Sequence, residues 1–205
     1  MSTIYIGIGG VSRSGKDTLA KALKSYLLEI NPNLKIGIES LSLPLKQICK
    51  EFIKANLNLD VFSDVSDEKK IFRDFLVWFG RVKRDQTQGT YWTSLLDERI
   101  KNEKYSVCII PDIRYQQYPK DEVSWLRSKK NNLLIHLKRK ISCDGYCLPA
   151  NNDEAINDEV VRNLANIKLT VETHPLKDLE DYVNSTIQTF HSEITRLLLK
   201  FNEIK

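Results

Sequence analysis

Hydrophobic positions along the chain change repeatedly between a strand-like and a helix-like spacing. The first apolar segment, residues 4–8, alternates apolar with small residues, as strands do. The segment 18–30 instead places apolar side chains three and four residues apart, which is the spacing of one helix face. Such patterns predict strands at residues 4–8, 34–41, 106–110, 133–137 and 167–171. They predict helices at residues 18–30, 44–57, 90–102, 122–128 and 175–199, and one that begins at the polar stretch 63–67 and ends near Gly80.

The order of these elements indicates one α/β domain. Strands alternate with helices along the 205 residues, without an internal repeat or a Gly/Ser linker. This order predicts a three-layer fold with a central, mostly parallel five-stranded sheet, helices on both faces and a lid segment. We place a helical part at about residues 42–105 and the lid at about residues 139–162. In such sheets, ligands bind beyond the carboxyl ends of the strands.

Composition narrows the function classes without naming one. The net charge of +4 suits an anionic ligand, but it is too small to indicate nucleic-acid binding. No apolar run approaches the roughly 20 residues that span a membrane, and the N-terminus lacks the regions of a signal peptide. We therefore expect a cytoplasmic protein with no membrane or nucleic-acid partner and with reduced cysteines. Cys143 and Cys147 have no second ligand pair nearby, so we do not predict a zinc site.

The turn between the first strand and the first helix carries the strongest functional signal. Gly10, Gly15 and Lys16 have the spacing of a P-loop, and they lead from a strand into a helix. Glycines let the backbone curl so that its N–H groups face a phosphate, and the lysine reaches the β- and γ-phosphates. We therefore predict that the turn binds ATP. The predicted ATP-binding residues are Gly10, Ser12, Arg13, Ser14, Gly15, Lys16, Asp17 and Thr18.

The residue after the lysine departs from the usual motif. A Ser or Thr there normally ligates Mg²⁺, but this chain has Asp17, followed by Thr18. A carboxylate is a hard oxygen ligand that Mg²⁺ accepts, and an acid also suits the first turn of a helix. Either residue could therefore bind the metal, or Asp17 could serve the helix alone. The chain has no Asn-Lys-x-Asp motif, which argues against a switch GTPase.

A second group of charged residues follows the third predicted strand. Asp112 stands just past the apolar run 106–110, where P-loop proteins place the acid that holds Mg²⁺ or its water. Arg114 lies two residues further, and its guanidinium suits a two-point grip on a phosphate. A turn-forming Asp and a surface Arg are the alternative interpretation. Arg81 and Arg84 follow a predicted helix and either bind an acceptor phosphate or favour the helix end.

Two further sets of residues are candidates for the site. Trp78 and Tyr91, with Trp92, could line a base pocket, although Trp92 also fits a position in the core. Arg139 leads from the fourth strand into the polar lid, and Arg162 lies at the end of that lid. Both arginines are candidates to stabilise charge during phosphoryl transfer, and a solvated charged face is the alternative.

Several blocks of the sequence together resemble a known family. In chain order they are residues 10–18, with Asp17 in place of the hydroxyl residue, 76–80, 91–92, 110–114, 167–170 and 176–179. In these blocks the chain resembles the bacteriophage deoxynucleoside monophosphate kinases, a branch of the P-loop nucleoside monophosphate kinase superfamily. Animal phosphomevalonate kinases share the Ser-Gly-Lys-Asp turn and an Asp-x-Arg strand end, so they are the nearest competitor.

The resemblance implies transfer of the γ-phosphoryl group of ATP to a deoxynucleoside 5′-monophosphate, with Mg²⁺. The helical part 42–105 would then bind the monophosphate. Because both substrates carry phosphate, catalysis would depend on charge neutralisation and in-line placement. We predict three sets of residues: catalytic Lys16, Asp112, Arg114 and Arg139; metal-binding Asp17, Thr18 and Asp112; and acceptor-binding Trp78, Arg81, Arg84 and Arg114.

Two other functions are compatible with these residues. A small-molecule kinase of another class, such as a phosphomevalonate kinase, would use the same turn with a different acceptor. A non-catalytic nucleotide-binding module would bind ATP without forming product. We expect small-molecule nucleotides as partners and, for a phage-encoded protein, the host cytoplasm as the location. The last helix, predicted at 175–199, could form a homodimer face or cover the sheet.

Overall fold

Strands and helices alternate along the chain of the computed structural model, which describes residues 3–63, 65–142 and 145–172. Within these ranges the strands are β1 Ile4–Gly9, β2 Ile36–Ile38, β3 Val107–Ile113, β4 Asn131–Ser142, β5 Gly145–Tyr146 and β6 Ile167–Glu172. The helices are α1 Lys16–Ile30, α2 Ser42–Leu57, α3 Ser66–Thr87, α4 Thr90–Glu103, α5 Glu122–Arg127 and α6 Asn152–Leu164.

The sheet has β1 at its centre. Its parallel strands lie in the order β2, β3, β1, β4 and β6, and these are the five strands predicted from the sequence. The short strand β5 pairs antiparallel with the end of β4. The predicted fold class is confirmed, since the sheet is mostly parallel and carries helices on both sides. The carboxyl ends of β1 and β3 meet at one edge, so the residues that follow them share a crevice.

Each face of the sheet has its own hydrophobic core. Ile4, Ile6 and Ile8 of β1 alternate to one face and pack in a cluster with α1. On the other face, residues of β3 pack in a cluster with α4 and α5. Gly7 belongs to this second face, where an added Cβ would lie 2.5 Å from a methyl carbon of Leu126. The isoleucines of β1 therefore pack against α1, the helix that follows the turn at residues 10–15.

Helix α3 is longer than predicted. The helix was expected to end near Gly80, but it continues to Thr87. The indole of Trp92 donates a hydrogen bond to the carbonyl of Gly80 at 3.0 Å, and an added Cβ at this glycine would contact Leu45 at 3.4 Å. The glycine thus makes room for α2 and α4 instead of ending the helix, and Arg81 and Arg84 lie within the helix.

Three other boundaries differ from the prediction. Strand β3 includes Asp112, which was expected just past its end, and β4 includes Arg139, which was expected in the lid. Strand β2 is shorter than the predicted 34–41. Helix α6 was not predicted at all and occupies much of the expected lid. Cys143 and the closing helix predicted at 175–199 lie outside the described residues. Among the helices of the described residues, none combines the length and the apolar composition of a membrane span.

Candidate active site

The turn between β1 and α1 has a conformation that demands glycine. Gly10 and Gly15 have φ angles of 133° and 95°, a region that side chains strain. A Cβ at Gly10 would lie 2.3 Å from the carbonyl oxygen of Leu137. Arg13 also has a positive φ, 64°, and Lys16 is the first residue of α1. The backbone therefore curls in front of the positive end of a helix, which is the arrangement that binds phosphate.

Lys16 lies inside this turn. Its side chain is 7% exposed, and Nζ donates to the carbonyl oxygen of Val11 at 2.6 Å. Burial, and next the positive charge of Arg114, lower the pKa of Lys16 to about 8, against the opposite effect of Glu154 and Asp17. Lys16 and Arg114 therefore share one site of positive charge, which a bound phosphate would stabilise.

A cavity of about 560 Å³ opens beside the turn. Its lining combines residues of the turn, α2, α3 and the end of β3. Basic side chains outnumber acids among the lining residues. Three of them are paired with acids outside the lining, and the others favour an anionic ligand. The basic residues are Arg13, Lys46, Lys69, Lys70, Arg73, Arg81, Arg84 and Arg114, and the acids are Asp17, Asp112 and Glu122.

Asp112 ties the end of β3 to the start of α2. Its carboxylate accepts hydrogen bonds from the hydroxyl of Ser40 at 2.6 Å and from the amides of Leu41 and Ser42 at 3.0 and 2.9 Å. These contacts use three of the roughly four acceptor positions of a carboxylate. Asp112, which also lines the cavity, thus has a structural role beside the predicted metal role, and its Oδ1 accepts only one of the three hydrogen bonds.

Arg114 is held by two carboxylates. Its backbone amide donates to Glu122 at 2.6 Å, and its Nη1 donates to Oε1 of Glu154 at 2.8 Å. Glu122 is buried and also accepts the amide of Tyr115 at 3.1 Å. Burial, and next the charge of Asp121, raise the pKa of Glu122 to about 8. The backbone of Arg114 is therefore anchored, and its guanidinium shares Oε1 of Glu154 with the amide of Ser12 in the turn.

The two candidate metal ligands after Lys16 differ in position. Both residues are exposed, but Asp17 lines the cavity, whereas Thr18 lies outside the lining. Among the predicted acceptor-binding residues, Arg81 also lines the cavity, and within the described residues it has no hydrogen bond or ion pair. The structure therefore brings Asp17 and Arg81 together with Asp112 and leaves Thr18 outside.

Arg84 lies in the cavity wall as part of a buried ion pair. Its Nη2 lies 2.7 Å from Asp121, and the two side chains are 3% and 0% exposed. The guanidinium also donates to Gln117 and lies 3.6 Å from the ring centre of Tyr115. Burial acts to lower the pKa of Arg84, but the hydrogen bond to Asp121 and the nearby acids outweigh it and raise the pKa. These contacts join α3 to α5, a role that its sequence position did not predict.

Three other candidates lie away from the cavity lining. Trp78 does not line the cavity, and its side chain is 52% exposed. Its ring centre lies 6.1 Å from that of Phe75. Arg139 donates to the carbonyl of Arg13 at 3.3 Å and so supports the turn from outside the lining. Arg162 contacts Nδ1 of His136 at 3.2 Å. The expected base-pocket role of Trp78 is not supported by this position.

Two residues of the site were missed by the sequence analysis. Arg73 donates to the hydroxyl of Ser12 at 3.0 Å, and Glu154 accepts the amide of Ser12 at 2.9 Å. Arg73 could have been found, since it lies on the same face of α3 as Arg84, three turns away. Asn151 and Glu154 have the spacing of a helix cap, but no sequence pattern indicates that this cap reaches the turn.

Three solved structures can be compared with this chain over most of its length. A Thermus thermophilus protein, TT1252, is 14% identical, with a TM-score of 0.43 over 92% of this chain and 98% of its own. A thymidylate kinase from Ehrlichia chaffeensis is 13% identical, with a TM-score of 0.43 over 92% and 99%. A sugar kinase from Janibacter sp. HTCC2649 is 11% identical, with a TM-score of 0.42 over 91% and 93%.

A family model gives the more specific comparison. No curated protein sequence matches the chain. The model of the phosphomevalonate kinase family, however, matches residues 8–132, which is more than half of the 205 residues. The match includes the turn between β1 and α1, the cavity-lining helices α2 and α3 and the end of β3. The chain therefore belongs to the phosphomevalonate kinase family and is a P-loop kinase.

Proposed function

We propose that this protein transfers the γ-phosphoryl group of ATP to a small acceptor that already carries a phosphate. One observation carries the proposal: the turn of residues 10–16 and a cavity lined by more basic than acidic side chains adjoin each other, with Arg114 at their junction. The turn would hold the ATP phosphates, and the cavity would hold a second anionic substrate. Transfer between two phosphates needs charge neutralisation and in-line placement more than a strong base.

In this proposal Lys16 and Arg114 neutralise the negative charge of different phosphate groups. Lys16 would turn from the carbonyl of Val11 towards the β- and γ-phosphates. Arg114 would contact the transferring group, and Arg81, which has no ion-pair partner in the described part of the chain, would hold the acceptor phosphate. Arginine suits both positions because its donors match two phosphate oxygens at once.

The donor set beside the turn fits Mg²⁺. Asp17 lines the cavity, and the carboxylate of Asp112 retains one acceptor position. We propose that Asp17 rather than Thr18 binds the metal, and that Asp112 holds a water of the metal. When bound, Mg²⁺ neutralises charge on the β- and γ-phosphates.

A deoxynucleoside 5′-monophosphate is our first candidate acceptor. The sequence blocks that include the turn and the Asp112–Arg114 strand end support it. Apolar side chains of α2 and α3 also line the cavity and offer a surface for a base, among them Leu45, Phe72 and Leu76. A volume of about 560 Å³ is within the range of small-molecule sites.

Mevalonate phosphate is the second candidate acceptor. The family match supports it, and so does the chemistry of the cavity lining. No Asn or Gln side chain is present among the described lining residues, and these are the side chains that commonly read the hydrogen-bonding edge of a base. An acceptor with a carboxylate as well as a phosphate would use more of the basic side chains.

An acceptor screen tests the proposal. The protein is incubated with Mg-ATP and with each ribo- and deoxynucleoside monophosphate or mevalonate phosphate, and ADP formation is measured. We expect acceptor-dependent ADP from one of the two classes. ATP binding without ADP formation with any acceptor would contradict the proposal and favour a non-catalytic module.

A pair of variants then tests the acceptor site. Arg81→Ala should raise the acceptor KM about tenfold, the size of one charge-assisted hydrogen bond, while the KM for ATP stays unchanged. Lys83→Ala is the matched control, because this lysine lies on the same helix but over the rings of Phe79 and Tyr91. Equal effects of the two variants would exclude a specific role for Arg81.

A further inference from the structure

Glu154 stands in the first turn of α6, outside every site predicted from the sequence. Its amide donates to the side chain of Asn151 at 2.8 Å, and its Oε2 accepts the amide of Ala150 at 2.6 Å. The first contact is the N-cap of α6, and the second ties the residue before the cap to the same side chain. The side chain is only 7% exposed, so in the free protein the carboxylate is held by these contacts rather than by solvent.

The other carboxylate oxygen reaches the phosphate-binding turn. Oε1 accepts the amide of Ser12 at 2.9 Å and Nη1 of Arg114 at 2.8 Å. A main-chain amide of a P-loop and an arginine guanidinium are the two donors that a phosphate oxygen uses in such sites. A carboxylate oxygen of Glu154 therefore occupies a position that suits a nucleotide phosphate oxygen.

We propose that Glu154 is an internal anion that competes with the nucleotide for the turn. This inference rests on the proposed function, since it takes the turn as the ATP site. In the free protein, Glu154 satisfies the Ser12 amide and balances the charge of Arg114 and Lys16. When ATP binds, its phosphate takes both donors, and the carboxylate swings away from the turn. α6 is then a lid whose release is coupled to nucleotide binding.

Competition by Glu154 should lower the affinity of the protein for ATP. A ligand binds more weakly when it must first displace a group from its site, because only the fraction of molecules with an open site can bind. Removing the charge of Glu154 should therefore increase the affinity for ATP and for inorganic pyrophosphate. A residue that only stabilised the fold would instead leave the affinity unchanged or lower it.

The test compares the wild-type protein with Glu154→Gln, which keeps the shape and an oxygen for the cap. Calorimetry with Mg-ATP and with inorganic pyrophosphate should give a Kd about tenfold lower for the variant. Glu159→Gln is the matched control, because Glu159 is an exposed acid on the same helix that contacts Asn163. This control should leave both Kd values unchanged.

The outcomes separate this inference from the proposed function. ATP binding with an equal or higher Kd in Glu154→Gln overturns the competition and leaves the kinase proposal intact. A lack of ATP binding by all three proteins overturns both. A second measurement needs no ligand: the amide proton of Ser12 should shift upfield in the NMR spectrum of free Glu154→Gln. An unchanged Ser12 resonance would also overturn the proposal.

Discussion

At the scale of single residues, the charge of Lys16 depends on what occupies the turn. In the free protein, burial and Arg114 lower the pKa of Lys16 to about 8. Bound phosphates would stabilise the charged form and raise this pKa again. Above about pH 8 the free protein therefore loses a proton that the ATP complex keeps, so ATP binding takes up a proton in that range.

This difference predicts a pH dependence of ATP binding. The Kd for ATP should rise above about pH 8, by up to about tenfold per pH unit. Calorimetry at pH 7 and pH 9.5, in two buffers with different ionisation enthalpies, measures both the Kd and the proton uptake. Lys16→Arg is the control, because arginine stays charged over this range. A wild-type Kd that does not change between these pH values would refute the assignment.

At the scale of elements, the pair of Arg84 and Asp121 joins α3 to α5. Both side chains are buried, so removing one partner leaves an uncompensated charge in the interior. Arg84→Met should therefore lower the free energy of unfolding by about 3–5 kcal/mol, measured by urea denaturation. The exposed pair of Lys70 and Asp67 on the same α3 gives the control. Lys70→Met should change stability by less than about 1 kcal/mol.

The result also decides between two interpretations of Arg84. The sequence predicted a residue that binds the acceptor, whereas the contacts indicate one that joins two helices. A variant with native stability and a raised acceptor KM would support the first interpretation. A strong loss of stability supports the second, because an arginine that served only a ligand would cost little in the free protein.

The sequence predicted the elements where pattern and local chemistry agree. Period-two alternation in β1 and the P-loop spacing located the strand, the turn and the next helix within two residues. It failed where a tertiary contact overrides a local signal. Gly80 resembles a helix end, but the hydrogen bond from Trp92 and the approach of α2 explain why a glycine stands within a helix.

The candidate site was predictable only in part, for a similar reason. Local sequence was enough to place Lys16, Asp17 and Arg114 in the site. The first two belong to the P-loop spacing, and the third stands at the end of a predicted strand. Glu154 comes from 142 residues beyond Ser12, and only the packing of α6 against the sheet brings them together. The sequence pattern of a helix cap does not indicate which distant backbone group the capping side chain will contact. Long-range partners of this kind therefore require the fold.

At the scale of the whole molecule, two buried groups give the unfolding free energy opposite pH dependences. Glu122 has a folded pKa of about 8, above its value of 4.5 in the unfolded chain, because burial and Asp121 outweigh the favourable contacts of its carboxylate. Its contribution is complete below pH 4.5 and is lost as the pH rises to about 8. Lys16, with a folded pKa below its unfolded value of 10.5, adds stability between about pH 8 and 10.5.

Together these two groups favour a minimum of the unfolding free energy near pH 8.

One variant isolates the contribution of Glu122. Glu122→Gln keeps an oxygen that can accept the amides of Arg114 and Tyr115, but its side chain cannot ionise. Urea unfolding of both proteins at pH 5, 6, 7 and 8 should show the free energy of the wild type falling relative to that of the variant across this range. Parallel pH profiles would mean that Glu122 ionises in the folded protein as it does in the unfolded chain. Its carboxylate would then be compensated by the two amides and Arg84, and the anchoring of Arg114 would involve an ion rather than a neutral acid.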